Sequence, residues 1–263
     1  MAVAADAGRR RRGGKGRLIG ALASTASVFV VWAVAALIAD SRLLPTPWRV
    51  FDLMITAIVS GDLVFHLTAT LGRVIAAFTA AMLIGSAIGL AMGRSRVVNS
   101  ALDVWLVLLL NIPALVVIIL AYVWFGLNET AAICAVALNK LPNVIVTIRE
   151  GARALDPDLD QMARAFKLNW RKRLFEVVLP QLQPYIAAAA RSGLSLVWKI
   201  VLVVELLGRS NGIGFQLNLY FQLFDVASIL AYALSFILVM LSIEIFILQP
   251  IESRANRWRI QTR

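Results

Sequence analysis

The residues of this sequence with unusual chemistry are ionisable and polar groups set inside apolar runs: Asn139 and Lys140, Arg191, Trp198 and Lys199, Glu205 and Glu244. A charge within such a run is costly unless it snorkels, pairs or faces a wet cavity. Lys140 lies near the middle of its run, where snorkelling is hard, so pairing or a cavity is the expectation. Asn139 calls for a neighbouring helix, as a polar lining group or as packing glue. Lys199 and Glu205 stand six residues apart, on different faces of a helix, and are poor partners for each other. Lys199 therefore needs a carboxylate elsewhere, a second subunit or an anionic solute, because partly desolvated positive charge favours anions. Covalent and metal chemistry have little to work with. His66 is the only histidine and Cys134 the only cysteine, and no Asp/Glu/His set shares a helix face. His66 is expected at a surface or helix entry. Gly212-Ile-Gly214 belongs to no strand-turn-helix unit and is not a phosphate loop.

The other distinctive stretch, Leu155 to Pro184, is the longest polar interval between apolar runs. Leu159, Met162, Ala163 and Phe166 fall on one face of a short helix. Trp170, Leu174, Val177 and Val178 make a second face after a restart at Asn169, whose side chain is placed to cap the next turn. Pro180 and Pro184 are expected to limit the second helix. Two short helices with an apolar stripe need either lipid headgroups or a protein partner to cover them.

The elements that carry these groups are membrane spans. Of 263 residues, 60% are hydrophobic and 16% charged, with mean hydropathy +0.80, far too apolar for an ordinary soluble domain. The net charge of +11 gathers at the two ends and beside apolar runs, which points to membrane orientation and not to nucleic acid. Arg9 to Arg12, Lys15 and Arg17 precede an apolar run from Leu18 to Ala39, too long for a signal-peptide core. This gives a basic cytoplasmic tail over 1–17, a membrane domain over 18–250 containing the 155–184 loop, and a basic cytoplasmic tail over 251–263. Six spans are expected, at Leu18–Ala39, Val74–Met92, Leu102–Phe125 with Pro113 bending it, Thr130–Ile148, Ile186–Leu207 and Ala227–Leu248. Trp48–Ile58 is expected as a helix at the outer surface, and Gln216–Phe224 as a re-entrant or surface helix. The Arg and Lys distribution places both termini inside. The fold class is all-α and polytopic.

The segment Pro157-Asp-Leu-Asp-Gln-Met-Ala-Arg-Ala-Phe-Lys-Leu-Asn169 with Val177-Val-Leu-Pro180 resembles the cytoplasmic coupling loop of ABC-importer permeases of the nitrate, sulfonate and taurine branch. Gln161 stands where that pattern has Glu, Met162 and Ala163 on its two alanines, and Lys167 on its glycine. Leu-Pro-Thr-Pro47, Trp124-Phe-Gly126 and Glu205 followed by Gly212-Ile-Gly214 extend the resemblance along the chain. It implies a type I ABC-importer permease fold in a bacterial inner membrane. It also implies a second permease copy or homologue, a cytoplasmic ATPase pair holding ATP and Mg, and a periplasmic or lipid-anchored binding protein. The cargo implied is a small anion such as nitrate, taurine, another sulfonate or bicarbonate. The ATPase-coupling residues would be Asp160, Gln161, Met162, Ala163, Arg164, Phe166, Lys167 and Trp170. Asn139, Lys140, Trp198, Lys199 and Glu205 would line or support the path. No Gly-rich loop ending in Gly-Lys-Ser/Thr occurs, so energy is expected from a separate subunit, with no cofactor bound here and no enzymatic step. An ion-coupled secondary transporter is the alternative, with Glu205, Glu244, Lys140 and Lys199 as its network.

Overall fold

Polar caps divide the apolar sequence into helices. In the computed structural model, which describes Ser24, Ser41 and residues 26–39 and 43–250, Ser95, Asn128, Asp156 and Asp225 each accept a hydrogen bond from a backbone N–H of the helix they open. The resulting order is α1 (Ala26–Ala39), α2 (Pro47–Val59), α3 (Asp62–Arg94), α4 (Arg96–Asn111), α5 (Ala114–Phe125), α6 (Glu129–Arg153), α7 (Pro157–Ala165), α8 (Trp170–Gly208), α9 (Ile213–Gln222) and α10 (Val226–Ile243). A π-helical turn continues α10 over Glu244–Leu248. The expected tails, 1–17 and 251–263, lie outside the described residues, as does the start of the first span.

Among the described residues, helices α3, α6, α8 and α10 are each long and apolar enough to cross a membrane, and α4 with α5 makes a broken span or a re-entrant pair. The bend expected at Pro113 within 102–125 is present and is a sharp break. The two helices meet at 99°. Pro113 has no N–H to donate and holds Ile112 in an extended conformation, so the helix stops and restarts. The helix that carries the expected Val74–Met92 span, α3, begins at Asp62, directly after a positive-φ Gly61.

The second helix of the polar interval is not short. It runs unbroken from Trp170 through Pro180 and Pro184 to Gly208. A π-helical turn at Arg173–Val178 immediately precedes Pro180, where the change in hydrogen-bond register makes room for the ring. Asn169 takes the N-cap position without the expected side-chain hydrogen bond.

The most extensive helix contact is between α3 and α6, which run parallel. Its cause is a stripe of small residues at intervals of four: Ala77, Ala81, Gly85, Gly89 and Gly93. A Cβ at Gly89 would lie 2.7 Å from the Ile145 carbonyl oxygen, so the backbones touch there. Gly89→Leu is expected to lower stability by about 3 kcal/mol through overpacking. Gly72→Ala on the same helix, where a Cβ meets open space, should be neutral or slightly stabilising. Thermal unfolding of the purified protein in detergent distinguishes the two.

Against this pair pack α8, which contacts both helices, and then α9 and α10, while α2 lies on α10 and α3. Tyr122 of α5 donates to the Val204 carbonyl at 2.9 Å, fixing α5 to α8. Trp32 Nε1 of α1 donates to the Pro45 carbonyl at 3.0 Å, inside the Leu-Pro-Thr-Pro turn.

Candidate coupling and translocation sites

At one end of the bundle, α7 opens with Asp156 as cap and Pro157 in its first turn, where its missing N–H costs nothing. It closes with the Leu168 N–H bonded to the Ala163 carbonyl and the Lys167 N–H to the Arg164 carbonyl, both at 2.9 Å. This pair of bonds is a Schellman motif, which needs a left-handed residue after the helix. Lys167 supplies it at φ +49. A side chain there is strained, so Lys167→Gly is expected to raise stability by about 1 kcal/mol. Urea unfolding of the variant beside wild type tests it.

Asp160 fastens α7 to the bundle. Its carboxylate accepts from Arg173 Nε at 2.8 Å and from Arg173 Nη2 at 2.5 and 2.7 Å, from Arg94 at 3.0 Å and from Arg164 at 3.1 Å. One carboxylate thus ties together α7, the end of α3 and the π turn of α8. Burial pushes this carboxyl up, but the hydrogen bonds and charges of Arg173 and Arg94 outweigh it and hold it at about 2, below the ordinary 3.8. A depressed carboxylate stabilises the fold above pH 3.8 and loses that contribution as pH falls toward 2. Asp160→Asn is therefore expected to flatten the acid limb of the stability curve in that window, read from unfolding midpoints at stepped pH.

The other residues of α7 divide by face. Ala163 is fully buried against the bundle. Leu159, Met162, Phe166 and Trp170 are exposed, with Phe166 at 75% and Trp170 at 65%. Gln161 and Arg164 are exposed beside them. Arg171 lies over the Trp170 ring, 5.4 Å from its centroid. Of the two expected apolar faces, Leu159, Met162, Phe166 and Trp170 lie uncovered in this chain, whereas Ala163, Val177 and Val178 are buried against the bundle.

At the opposite end an ionic network, buried at Arg73 and Glu205 and open to the surface at Glu129, closes the bundle. Glu205 is fully buried and accepts from Arg73 Nη1 at 2.5 Å, Thr70 Oγ1 at 2.9 Å and the Gly214 N–H at 2.9 Å. Arg73 also makes a two-pronged bond to Glu129 at 2.6 and 2.8 Å, and Glu129 takes a further bond from Arg209 at 2.6 Å. Two cations and two anions cancel. Arg73 reaches the loop between α8 and α9 as well, donating to the Asn211 carbonyl at 3.0 Å and to the Asn211 side chain. Thr70 accepts from the Ile213 N–H at 2.8 Å.

His66 is buried, not at a surface. Its Nδ1 accepts from the Gly212 N–H at 3.0 Å, which leaves Nε2 protonated in the neutral ring. Nε2 faces the Gln216 amide at 2.6 Å, and turning that amide over gives its otherwise unpartnered Oε1 to this N–H. His66, Thr70 and Arg73 follow helical spacing i, i+4, i+7, and that polar stripe on α3 was the signal for the network. Gly212 and Gly214 are required by space: a Cβ at either position runs into Glu205.

Among the predicted path residues, Lys140 is 2% exposed, with no ion pair among the described residues. Its chain end and Phe78 crowd Gly193 of α8, where a Cβ would come within 3.0 Å of the Lys140 Nζ. The Asn139 Nδ2 is buried without a partner. Trp198 is buried, while the exposed Lys199 and the half-buried Glu244 line one groove of about 360 Å³ between α8 and α10. The predicted set is therefore split. Asn139 and Lys140 sit on α6, Trp198 and Lys199 on α8 beside the groove, and Glu205 in the closed network.

Residues 81–249 match the family described as binding-protein-dependent transport system inner membrane component. The chain belongs to that family. Among similar permeases is the putative aliphatic sulfonates transport permease protein SsuC of Bacillus subtilis, 29% identical over 98% of this chain and 92% of that protein. The taurine transport system permease protein TauC of Escherichia coli is 31% identical over 76% of this chain and 74% of its own length. A bicarbonate transport permease, CmpB of Synechococcus elongatus, is 32% identical over 56% of this chain and 53% of its own. The fold is that of solved ABC transporters. An amino acid ABC transporter crystallised with histidines superposes with TM-score 0.61 at 21% identity, over 77% of this chain and 98% of that one. The methionine transporter MetNI gives 0.57 at 17%, over 72% and 91%. The permease is thus all-α and membrane-embedded, and the family's task is transport and not catalysis.

Proposed function

We propose that this permease forms half of the membrane pore of an ATP-driven importer for a small oxyanion, of which sulfonates are the leading class and taurine, nitrate and bicarbonate the others to test. The observation that carries the proposal is the exposed apolar stripe of Leu159, Met162, Phe166 and Trp170 on a helix braced by Asp160 to both α3 and α8. A stripe held rigidly and left bare suits a partner that pushes on it. In this reading the partner is a cytoplasmic ATPase pair carrying ATP and Mg, with Gln161 and Arg164 orienting the contact. Both termini then face the cytoplasm of a bacterial inner membrane.

Closure of the ATPases moves α7, and the Asp160 contacts carry the motion into α3 and α8 as rigid bodies. The α3–α6 pair tilts as a unit because its backbones are in contact, and the path opens alternately to either side. A second permease copy or homologue completes the pore, and a periplasmic or lipid-anchored protein delivers the anion. Lys199 and Trp198 beside the α8–α10 groove, with Lys140 and Asn139 behind them, supply positive charge and polar groups toward the path, while Glu205 supports its outer end. The test is uptake into proteoliposomes of taurine, alkanesulfonates, nitrate and bicarbonate, with each partner omitted in turn. Uptake of one of these anions that needs ATP, the ATPase and the binding protein supports the proposal; gradient-driven uptake by the chain alone sinks it in favour of an ion-coupled transporter.

A further inference from the structure

Beside α7, a cavity of about 510 Å³ is lined by Met92, Gly93, Arg94, Arg96, Asn99 and Arg153. Three of these six residues are arginines and none is a carboxylate. We propose that this cavity binds a phosphate group, and that its occupant is the headgroup of an anionic glycerophospholipid. Guanidinium forks match the oxygens of a phosphate in paired hydrogen bonds, which a scattered solvated charge does not need. Arg96 has no carboxylate partner among the described residues. Arg94 uses one nitrogen on Asp160, and Arg153 is aimed by Asn99 at 2.9 Å and Glu150 at 3.1 Å.

The surroundings favour a lipid as the source of the phosphate. Arg94 and Arg96 sit at the turn between α3 and α4 and Arg153 at the end of α6, where basic groups at the ends of spans meet the headgroup layer. Along α4 from Arg96, Val104 and Val107 follow at i+8 and i+11, both exposed and apolar, as a bed for acyl chains. A free phosphate would use the arginines and leave that face idle.

The site also adjoins the coupling helix. A second cavity of about 270 Å³ shares Gly93, Arg94 and Arg153 with the first and continues to Asp156, Pro157 and Asp160. A phosphate in the first cavity therefore competes with Asp160 for Arg94, so lipid occupancy tunes how firmly α7 is held. This regulatory consequence rests on the importer proposal; the binding itself does not.

The experiment is native mass spectrometry of the permease released from nanodiscs of phosphatidylglycerol and phosphatidylcholine in equal parts, for wild type, Arg96→Gln and Arg96→Gln/Arg153→Gln. Melting curves in the same lipid confirm that the variants are folded. Wild type is expected to retain phosphatidylglycerol over phosphatidylcholine by about fivefold or more, and the double variant to lose most of that preference. Inorganic phosphate and glycerol 3-phosphate, added at millimolar concentration, are expected to leave the retained lipid in place. Equal retention of the two lipids, or an unchanged preference in the variants, overturns the site; displacement by the soluble phosphates overturns the lipid assignment. With the ATPase added, dependence of its rate on phosphatidylglycerol should disappear in the double variant. If retention behaves as expected while the ATPase rate does not depend on phosphatidylglycerol, the regulatory consequence fails and the lipid site stands; failure of the importer proposal is read separately, from the uptake experiment.

Discussion

Glu205→Ala is expected to destabilise the permease by about 3–5 kcal/mol, because removing one member of a buried ion pair leaves the other desolvated and unpaired. The carboxylate is fully buried, and its loss strands Arg73 Nη1, Thr70 Oγ1 and the Gly214 N–H together. Arg73→Ala should cost as much, since it frees Glu205 and also releases the loop at Asn211. The double replacement Arg73→Leu/Glu205→Leu should cost less than the sum of the two single losses. Glu129 stays paired with Arg209 in that variant, so no buried charge is orphaned. Unfolding midpoints of the purified proteins decide the matter; a single-variant loss below about 1 kcal/mol would mean that the network is hydrated and marginal.

Phe166→Asp and Trp170→Asp should leave the fold intact and abolish coupling. Both rings are exposed in the isolated chain, so replacing them disturbs little of its own packing, with stability changes within about 0.5 kcal/mol. Against a partner, a buried aromatic anchor typically contributes 2 kcal/mol or more, so losing one should weaken ATPase docking by about thirtyfold or more. Met162→Asp on the same stripe should behave alike, whereas Ala163→Asp should fail to fold because that position is fully buried. The comparison to make is ATP-dependent uptake set beside melting temperature for all four. Uptake at wild-type level in folded Phe166→Asp would remove the stripe from the coupling route.

Much of this was legible in the sequence, and the reasons differ by element. The long spans follow from sustained apolar runs, and the α7 stripe from residues at helical spacing, because both signals are local. Lys167 at the end of α7 was legible as a turn lacking its glycine, and the structure answers with a left-handed lysine. The pairing of Glu205 with Arg73 was not legible, since the partners are 132 residues apart and only the stacking of α3 on α8 joins them. The burial of His66 depends in the same way on a loop 146 residues away folding over it.

Pro113 announced a disturbance in its span, but not that the disturbance is a 99° corner, which packing sets and a single proline does not. Pro180 announced a stop that the preceding π turn avoids. The α3–α6 contact had a local signal that is easily overlooked. Five small residues at intervals of four read as an unremarkable apolar span until the partner helix is placed against them.

The measurement that bears most directly on the central claim is cysteine cross-linking at Phe166. In a variant whose native Cys134 is replaced by Ser, Phe166→Cys should form a disulfide or a short bismaleimide bridge to a cysteine on the cytoplasmic ATPase, with a yield that changes when ATP is bound. If instead Phe166→Cys gives no cross-link to the ATPase in vesicles that contain it, and is labelled by a lipid-soluble maleimide while resisting a water-soluble one, then α7 is an interfacial helix lying in the headgroups and the coupling account is wrong.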